Sequence, residues 1–216
     1  MGEASKSFLT NVPPMGIYET LYAFQDAFGT YMGNKGTHPW SQGFPLTTQL
    51  PEGPEMPENI YVNAEDLKYP KAWGLPELRE AIADYYNHYY SAGIDQENIM
   101  VFAGGRPGLI ALLMFLQQDI HIRIAGTEYT PYYDMLRLLK REYSIVESHV
   151  DNSFFPTVQD YVNPVHGDRN LVMLSNPCNP TGVTRTGDEL QALVNKASYG
   201  SFGLLIDEAY ELFHNP

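Results

Sequence analysis

Polar residues that could take part in chemistry follow three apolar runs of this sequence. These polar places are a glycine-rich turn at residues 104–106, a turn with two Asn-Pro steps at residues 175–182, and Asp207. Apolar runs without a polar face predict buried strands. Because the carboxyl ends of parallel strands meet at one edge of a sheet, we expect these three places to form one ligand site.

The glycine-rich turn could bind an anion, most often a phosphate. Gly105 and Arg106 lie where a helix is predicted to start, so free backbone N–H groups and the helix dipole favour negative charge there. The Arg106 guanidinium would add a fork suited to phosphate oxygens. The spacing is neither G-x-G-x-x-G nor a Walker loop, and a glycine-rich turn of this kind also occurs for steric reasons alone.

Asp207 ends a strongly apolar run, so we expect a partly buried carboxylate that needs a cationic or hydrogen-bonding partner. It could cap the next helix, or it could be the counter-ion of a protonated heterocyclic nitrogen. Tyr210 could offer its hydroxyl to the same ligand, although core packing is the commoner role of a single tyrosine.

The turn at residues 175–182 is stiffened by its prolines, and Asn179 is its candidate ligand donor. Asn179–Pro180 is a candidate cis peptide bond. Cys178 is the only cysteine of the chain. No histidine or asparagine constellation typical of a cysteine hydrolase accompanies it, so we interpret it as a small buried residue.

Composition limits the classes of protein to consider. The net charge of −13 argues against nucleic acid and anionic membranes as partners. A lone cysteine fits a reducing, cytoplasmic setting. No stretch has the length of a membrane span, and residues 1–14 show no signal-peptide pattern. These features predict a soluble cytoplasmic protein, and no metal site is expected.

Strand and helix patterns alternate along most of the chain. This predicts an α/β fold, a three-layer αβα sandwich with a mostly parallel sheet. The predicted helices are 17–28, one from Leu75 that ends before Gly93, 109–118, 131–141 and 188–197. The predicted strands are 98–102, 120–125, 144–150, 171–175 and 202–206.

Five ordered motifs together resemble the class I/II aminotransferases of fold type I, which depend on pyridoxal phosphate. The motifs are residues 69–79 (Y-x-x-x-x-G-L-x-E-L-R), 103–106, 128–134, 176–182 (N-P-C-N-P-T-G) and 207–210 (D-E-A-Y). Thr127 stands where the family usually has proline. The segment 128–134 leans towards the valine–pyruvate aminotransferase branch.

The resemblance implies a role for four residues around the cofactor ring. Tyr129 would stack on the pyridine ring, and Asp207 would pair with the pyridinium nitrogen. Asn179 and Tyr210 would both hydrogen-bond to the phenolic oxygen. Cys178 then has no role as a nucleophile.

Other residues are assigned by the resemblance to the phosphate and the substrate. The amides of Gly105 and Arg106 would bind the phosphate, assisted by the Arg106 side chain. Tyr69 would reach the phosphate of a neighbouring subunit, which implies a homodimer. Gly43 would lie beside the substrate.

The lysine that the family bonds to its cofactor follows the Asp-x-Ala-Tyr segment, and none of the six lysines here follows Tyr210. The catalytic residue is therefore unknown, with the Schiff-base lysine absent from this chain. We expect a fragment of a longer enzyme, inactive by itself. Its first 50 residues would form an arm and part of the small domain, and residues 51–216 the first part of the large cofactor-binding domain.

The expected activity is transfer of an amino group between an amino acid and a 2-oxo acid. A lyase or an amino-acid synthase on the same scaffold is an alternative, because most substrate-side residues lie outside the sequence. A non-catalytic binding module is the alternative if the gene ends at residue 216.

Overall fold

The computed structural model describes residues 17–38, 55, 57–163, 167, 169–198 and 202–213. The chain divides into two compact units, one within residues 16–104 and one that contains residues 105–216. The domain boundary at residue 50 stays a prediction. No helix among the described residues is long and apolar enough to cross a membrane.

Among its described residues, the first unit contains the helices α1 (Ile17–Phe28) and α2 (Pro76–Tyr90) and a 3₁₀ helix at Gln96–Asn98. Pro76 occupies the first helical position of α2, where its missing N–H costs no hydrogen bond. The strand predicted at 98–102 was wrong, since residues 99–104 have no strand structure. The reason is that a strand needs a neighbouring strand, and no described segment pairs with this one.

Two residues of the motif at 69–79 fix the segment that was expected to be a strand. Gly74 has φ +104°, and a Cβ placed on it would lie 2.7 Å from Cβ of Val101. The buried Arg79 donates from Nε to the carbonyl of Ile99 at 2.9 Å and from Nη2 to the carbonyl of Gln96 at 2.5 Å. The glycine and the arginine of this motif therefore act structurally within the first unit.

The second unit is built on a four-stranded parallel sheet in the order β2-β1-β3-β4. This confirms the predicted α/β class and the mostly parallel sheet. The strands are β1 (Ile120–Ala125), β2 (Tyr143–Val146), β3 (Arg169–Ser175) and β4 (Phe202–Asp207). The helices are α3 (Gly105–Phe115), α4 (Pro131–Leu138), α5 (Val158–Val162) and α6 (Gly187–Ser198).

Alternating residues of the strands form two separate cores, one on each face of the sheet. On one face, Ile122 and Met173 pack with residues of α3 and α4, such as Leu113 and Leu136. On the other face, Val172 packs with Tyr161 of α5 and with Leu193 of α6. Helices therefore cover both faces of the sheet, which is the three-layer arrangement.

Several helix and strand boundaries in the structure differ from the predicted ones. Helix α3 begins at Gly105, four residues before its predicted start. Helix α4 ends at Leu138 instead of 141, and the buried Arg141 beyond it donates to the carbonyls of Leu116 and Gln117. Strand β2 ends at Val146 instead of 150, and a 3₁₀ helix follows at Val150–Asn152.

Candidate active site at the carboxyl edge of the sheet

A cavity of about 260 Å³ opens within the second unit. Its walls come from the start of α3, the segment between β1 and α4, and the residues after β3 and β4. The lining residues are Gly105, Arg106, Leu109, Tyr129, Tyr132, Ser175, Asn179, Asp207, Ala209 and Tyr210. The carboxyl edge of the sheet thus carries one concave site, although only two of the three predicted strand ends, those at Ser175 and Asp207, are strand ends in the structure.

The ends of β3 and β4 are held level with each other. Ser175 lies opposite Asp207 in the parallel register, and the N–H of Asn176 donates to the carbonyl of Asp207 at 2.9 Å. Because side chains alternate along a strand, this register decides that Ser175 and Asp207 both line the cavity.

The Asp207 carboxylate is held by two donors. The hydroxyl of the buried Tyr132 donates to Oδ2 at 2.6 Å, and the N–H of Ala209 donates to Oδ1 at 3.0 Å. Burial and the neighbouring Asp207 raise the pKa of Tyr132, so this phenol stays protonated and acts as a donor. Asp207 thus presents a fixed negative group in the cavity, suited to a cationic partner.

Asn179 and Tyr210 converge on one point of the cavity wall. The Nδ2 of Asn179 lies 3.3 Å from the hydroxyl of Tyr210 and donates to it. The turn that carries Asn179 contains two cis peptide bonds, Asn176–Pro177 and Asn179–Pro180, of which the second was predicted. These two polar side chains could share one acceptor atom of a ligand.

The same turn is closed at its base by a pair of hydrogen bonds. The side chain of Asn176 donates to the carbonyl of Arg185 at 3.0 Å and accepts from its N–H at 2.7 Å. Both residues are buried. The intervening loop is therefore anchored to the protein on the side away from the cavity.

Glu128 lies behind the cavity, next in sequence to Tyr129. Its Oε2 accepts the N–H of Ser175 at 3.1 Å and the hydroxyl of Ser175 at 2.5 Å. Burial raises the pKa of Glu128 to about 7, and the bonds from Ser175 and the charge of Arg185 only partly offset this. The carboxyl group of Glu128 therefore changes from protonated to ionised near neutral pH.

The start of α3 offers an anion site at one end of the cavity. No heavy atom lies within 4 Å of a Cβ placed on Gly105, so the backbone is open to a ligand there. The Arg106 guanidinium lies 5.9 Å from the centre of the Tyr129 ring. Tyr129 in turn meets Tyr132 edge-on, with ring centres 5.3 Å apart. A flat ring against Tyr129 would have its anionic substituent near the helix start.

Six of the residues predicted from the sequence lie together on this cavity: Gly105, Arg106, Tyr129, Asn179, Asp207 and Tyr210. Tyr69 belongs to the first unit and is fully exposed there. Gly43 lies outside the described residues. Cys178 is half-buried, and its thiol donates to the carbonyl of Thr127 at 3.4 Å.

Three residues with clear parts in the site were not assigned a role from the sequence: Tyr132, Ser175 and Glu128. Tyr132 is the second tyrosine of the motif at residues 128–134, and a partly buried Asp207 was already expected to need a donor. The position of the polar Ser175 at the end of an apolar strand is a second sequence signal, which could have assigned this residue to the site. Nothing in the sequence pairs Glu128 with Ser175, which lies 47 residues away.

The parallel α/β fold with an anionic residue, a polar turn and a helix start around one cavity defines a class of cofactor-binding enzyme domains. The chain belongs to the class I and II aminotransferases, whose family model matches residues 38–215. Enzymes of this family use pyridoxal 5′-phosphate. The predicted family, fold and cofactor are thereby confirmed.

Individual relatives agree with the family. Aspartate aminotransferase of Pyrococcus horikoshii is 26% identical over 141 residues, which are 65% of this chain and 36% of that enzyme. Valine–pyruvate aminotransferase of Mycobacterium tuberculosis is 28% identical over 153 residues, or 69% of this chain and 38% of that enzyme. With both kinds among the relatives, the valine–pyruvate branch stays a prediction.

A solved structure of the aspartate aminotransferase from Thermus thermophilus with maleate has a TM-score of 0.62 to this chain at 27% identity. The match covers 67% of this chain and 38% of that one. The chain therefore spans well under half the length of these relatives.

The described residues fit the cofactor of the family. A carboxylate held by two donors, a convergent amide–hydroxyl pair, a tyrosine ring and an open helix start match the nitrogen, phenolic oxygen, ring and phosphate of pyridoxal phosphate. Within the described part of the chain, no group of three or more His, Cys, Asp or Glu side chains could hold a metal ion.

Proposed function

We propose that the protein to which this chain belongs is a pyridoxal-phosphate-dependent aminotransferase that acts on an amino acid and a 2-oxo acid. The observation that carries the proposal is the grouping of Asp207, Asn179, Tyr210 and the start of α3 around one cavity. The names of the relatives support the substrate classes, since they are aspartate and valine–pyruvate aminotransferases.

Asp207 has the central role in this proposal, as the partner of the pyridinium nitrogen. The bound cofactor supplies an electron sink for the carbanion left at the substrate Cα, and a protonated ring nitrogen makes that sink stronger. A nearby carboxylate favours the protonated nitrogen. Tyr132 and the N–H of Ala209 fix the position of this carboxylate.

The remaining cavity residues bind and orient. Asn179 and Tyr210 hydrogen-bond to the phenolic oxygen, because their polar atoms already lie within 3.3 Å of each other. Tyr129 covers one ring face and excludes water from it. The amides of Gly105 and Arg106 bind the phosphate at the start of α3, where the helix dipole favours an anion.

Further parts of the proposal extend beyond the cavity. Tyr69 reaches the phosphate site of a second subunit in a homodimer, and its full exposure within this chain leaves it available for such a contact. Gly43 lies beside the substrate. Residues 1–50 form an arm and part of a small domain, and residues 51–216 begin the cofactor domain. The single cysteine supports a cytoplasmic location.

The test uses the protein expressed from its complete reading frame, with Asp207→Ala and, as a matched control, Asp151→Ala, whose side chain is exposed. The parent and the control should bind pyridoxal phosphate and convert it to pyridoxamine phosphate when an amino acid is added. Asp207→Ala should lose most of this half-reaction. If the parent binds pyridoxal phosphate but forms no pyridoxamine phosphate, transamination is contradicted. Release of another product from the amino acid would then favour a lyase or a synthase. Absence of binding in the parent would overturn the whole proposal.

A further inference from the structure

Glu128 and Ser175 form a buried polar pair behind the cavity. Glu128 has a relative exposure of 5% and Ser175 of 6%. The serine gives both its N–H and its hydroxyl proton to Oε2 of the carboxyl group. Because the Ser175 hydroxyl donates its proton to Glu128, the lone pairs of its oxygen can accept a hydrogen bond from another group.

One of those lone pairs accepts the backbone N–H of Asn179 at 3.1 Å. This bond spans four residues and crosses the first cis proline of the turn. It fixes the backbone of Asn179, whose side chain lines the cavity and reaches Tyr210. A continuous chain of bonds therefore runs from Glu128 through Ser175 to Asn179.

Glu128 also adjoins Tyr129, so one carboxyl group is connected to two walls of the cavity. It is joined to the first wall by the covalent chain and to the second wall by Ser175. The link does not require a charge, since Oε2 can accept hydrogen bonds whether the carboxyl group is ionised or protonated. A glutamine at position 128 would keep an acceptor oxygen, whereas an alanine would leave the Ser175 N–H and hydroxyl without one.

We propose that Glu128 is a positioning residue that holds Asn179 on the cavity wall through Ser175. The expected benefit to cofactor binding rests on the proposed function above, whereas the effect on the turn does not. Glu128 does not line the cavity, so it acts on the cavity wall through Ser175 and Asn179, which do line it.

Hydrogen exchange of the backbone amides in the cofactor-free, full-length protein tests this role. Glu128→Ala and Ser175→Ala should each increase exchange at Asn179 about fivefold, the effect of one lost hydrogen bond of about 1 kcal/mol. Glu128→Gln should restore protection to within about twofold of the parent, because it keeps the acceptor. Glu142→Ala, at an exposed position, is the matched control.

Exchange in β1 is the internal reference for folding, since Ile122 and Ile124 are fully buried. A loss of protection from exchange that is confined to residues 175–182 supports the proposal. Unchanged protection of Asn179 in both alanine variants would overturn it, as would a failure of Glu128→Gln to restore protection. If Glu128→Ala does not fold, Glu128→Leu, which fills the space of the side chain but has no acceptor oxygen, takes its place beside Glu128→Gln.

Affinity for pyridoxal phosphate, measured by quenching of protein fluorescence, is the second readout. It should weaken about fivefold in Glu128→Ala and Ser175→Ala and recover in Glu128→Gln. If no form of the protein binds the cofactor, the proposed function fails, while hydrogen exchange still decides the role of Glu128. If the parent binds and the alanine variants bind equally well, the positioning role is contradicted.

Discussion

The hydroxyl of Tyr132 donates a 2.6 Å hydrogen bond to the carboxylate of Asp207, a residue 75 positions further along the chain. Tyr132 is fully buried in α4, and Asp207 ends β4. The bond therefore ties a helix on one face of the sheet to the charged group that faces the cavity. It explains how an anionic side chain keeps one orientation there.

Removing this hydroxyl in Tyr132→Phe should reduce the free energy of unfolding by about 1.5–3 kcal/mol, the usual contribution of a hydrogen bond to a charged group. Affinity for pyridoxal phosphate should fall as well, because Asp207 would lose its orientation. Denaturant unfolding and a cofactor titration measure the two effects. Tyr89→Phe, at an exposed position of α2, is the control and should change neither. A Tyr132→Phe protein with unchanged cofactor affinity would show that Ala209 alone orients Asp207.

Asn179 and Tyr210 should be energetically coupled through the cofactor. In a double-mutant cycle with Asn179→Ala and Tyr210→Phe, we expect a coupling energy of about 0.5–2 kcal/mol in cofactor affinity. The physical reason is that both groups converge on one point and would share one acceptor. Strictly additive losses in the titration would mean that they contact different atoms. The same cycle in the unfolding free energy of the cofactor-free protein reports only their direct contact.

The stability of the protein should fall as the pH rises, because of Glu128. Its pKa in the folded protein is about 7, above its ordinary value of 4.5. The folded state therefore binds this proton more tightly, and the associated stability is complete below pH 4.5 and lost as the pH rises through 7. The difference between the pKa values of about 7 and 4.5 corresponds to a loss of about 3 kcal/mol in the free energy of unfolding once the carboxyl group is fully ionised.

Glu128→Gln removes this titration. The variant should match the parent near pH 4.5 and be more stable than the parent at pH 8, with unfolding followed at several pH values. Glu142→Gln should retain the profile of the parent. If the difference between Glu128→Gln and the parent does not change with pH, the carboxyl group keeps an ordinary pKa.

Gly74→Ala should destabilise the first unit by roughly 2–4 kcal/mol, from its left-handed backbone and from overpacking. The added Cβ would lie 2.7 Å from Cβ of Val101 at φ +104°. Gly93→Ala is the matched control, because Gly93 has φ +66° but a Cβ placed on it would have no heavy atom within 4 Å. It should cost only about 1–2 kcal/mol. Equal losses in thermal unfolding would show that the segment around Val101 yields to the new methyl group.

Much of the second unit follows from short-range patterns in the sequence. Residues 120–125 form β1 at the predicted boundaries, because isoleucine recurs at every second position there and all three isoleucines point to the same face of the sheet. Asp207 could be placed at a strand end by the same reasoning. Its position opposite Ser175 follows only from the register of β3 and β4, which the pattern of one strand does not determine.

What could not be predicted depends on contacts between distant segments. Helical periodicity assigns Tyr132 to the inner face of α4 but does not identify Asp207 as its partner. The largely apolar residues 98–102 look like a strand, yet strand structure depends on a pairing neighbour, which a local pattern cannot supply. Glu128 reads as an ordinary polar residue of a loop until the fold places Ser175 against it.

The pairing of β3 with β4 also limits how the length of the chain can vary near the site. Asp207 lies opposite Ser175, and successive side chains of β4 point to opposite faces. Deleting or inserting one residue within β4 would turn Asp207 away from the cavity while leaving the apolar content of the strand almost unchanged. Among descendants of this sequence, substitutions within β4 can accumulate, but the number of residues between the start of the strand and Asp207 must stay constant.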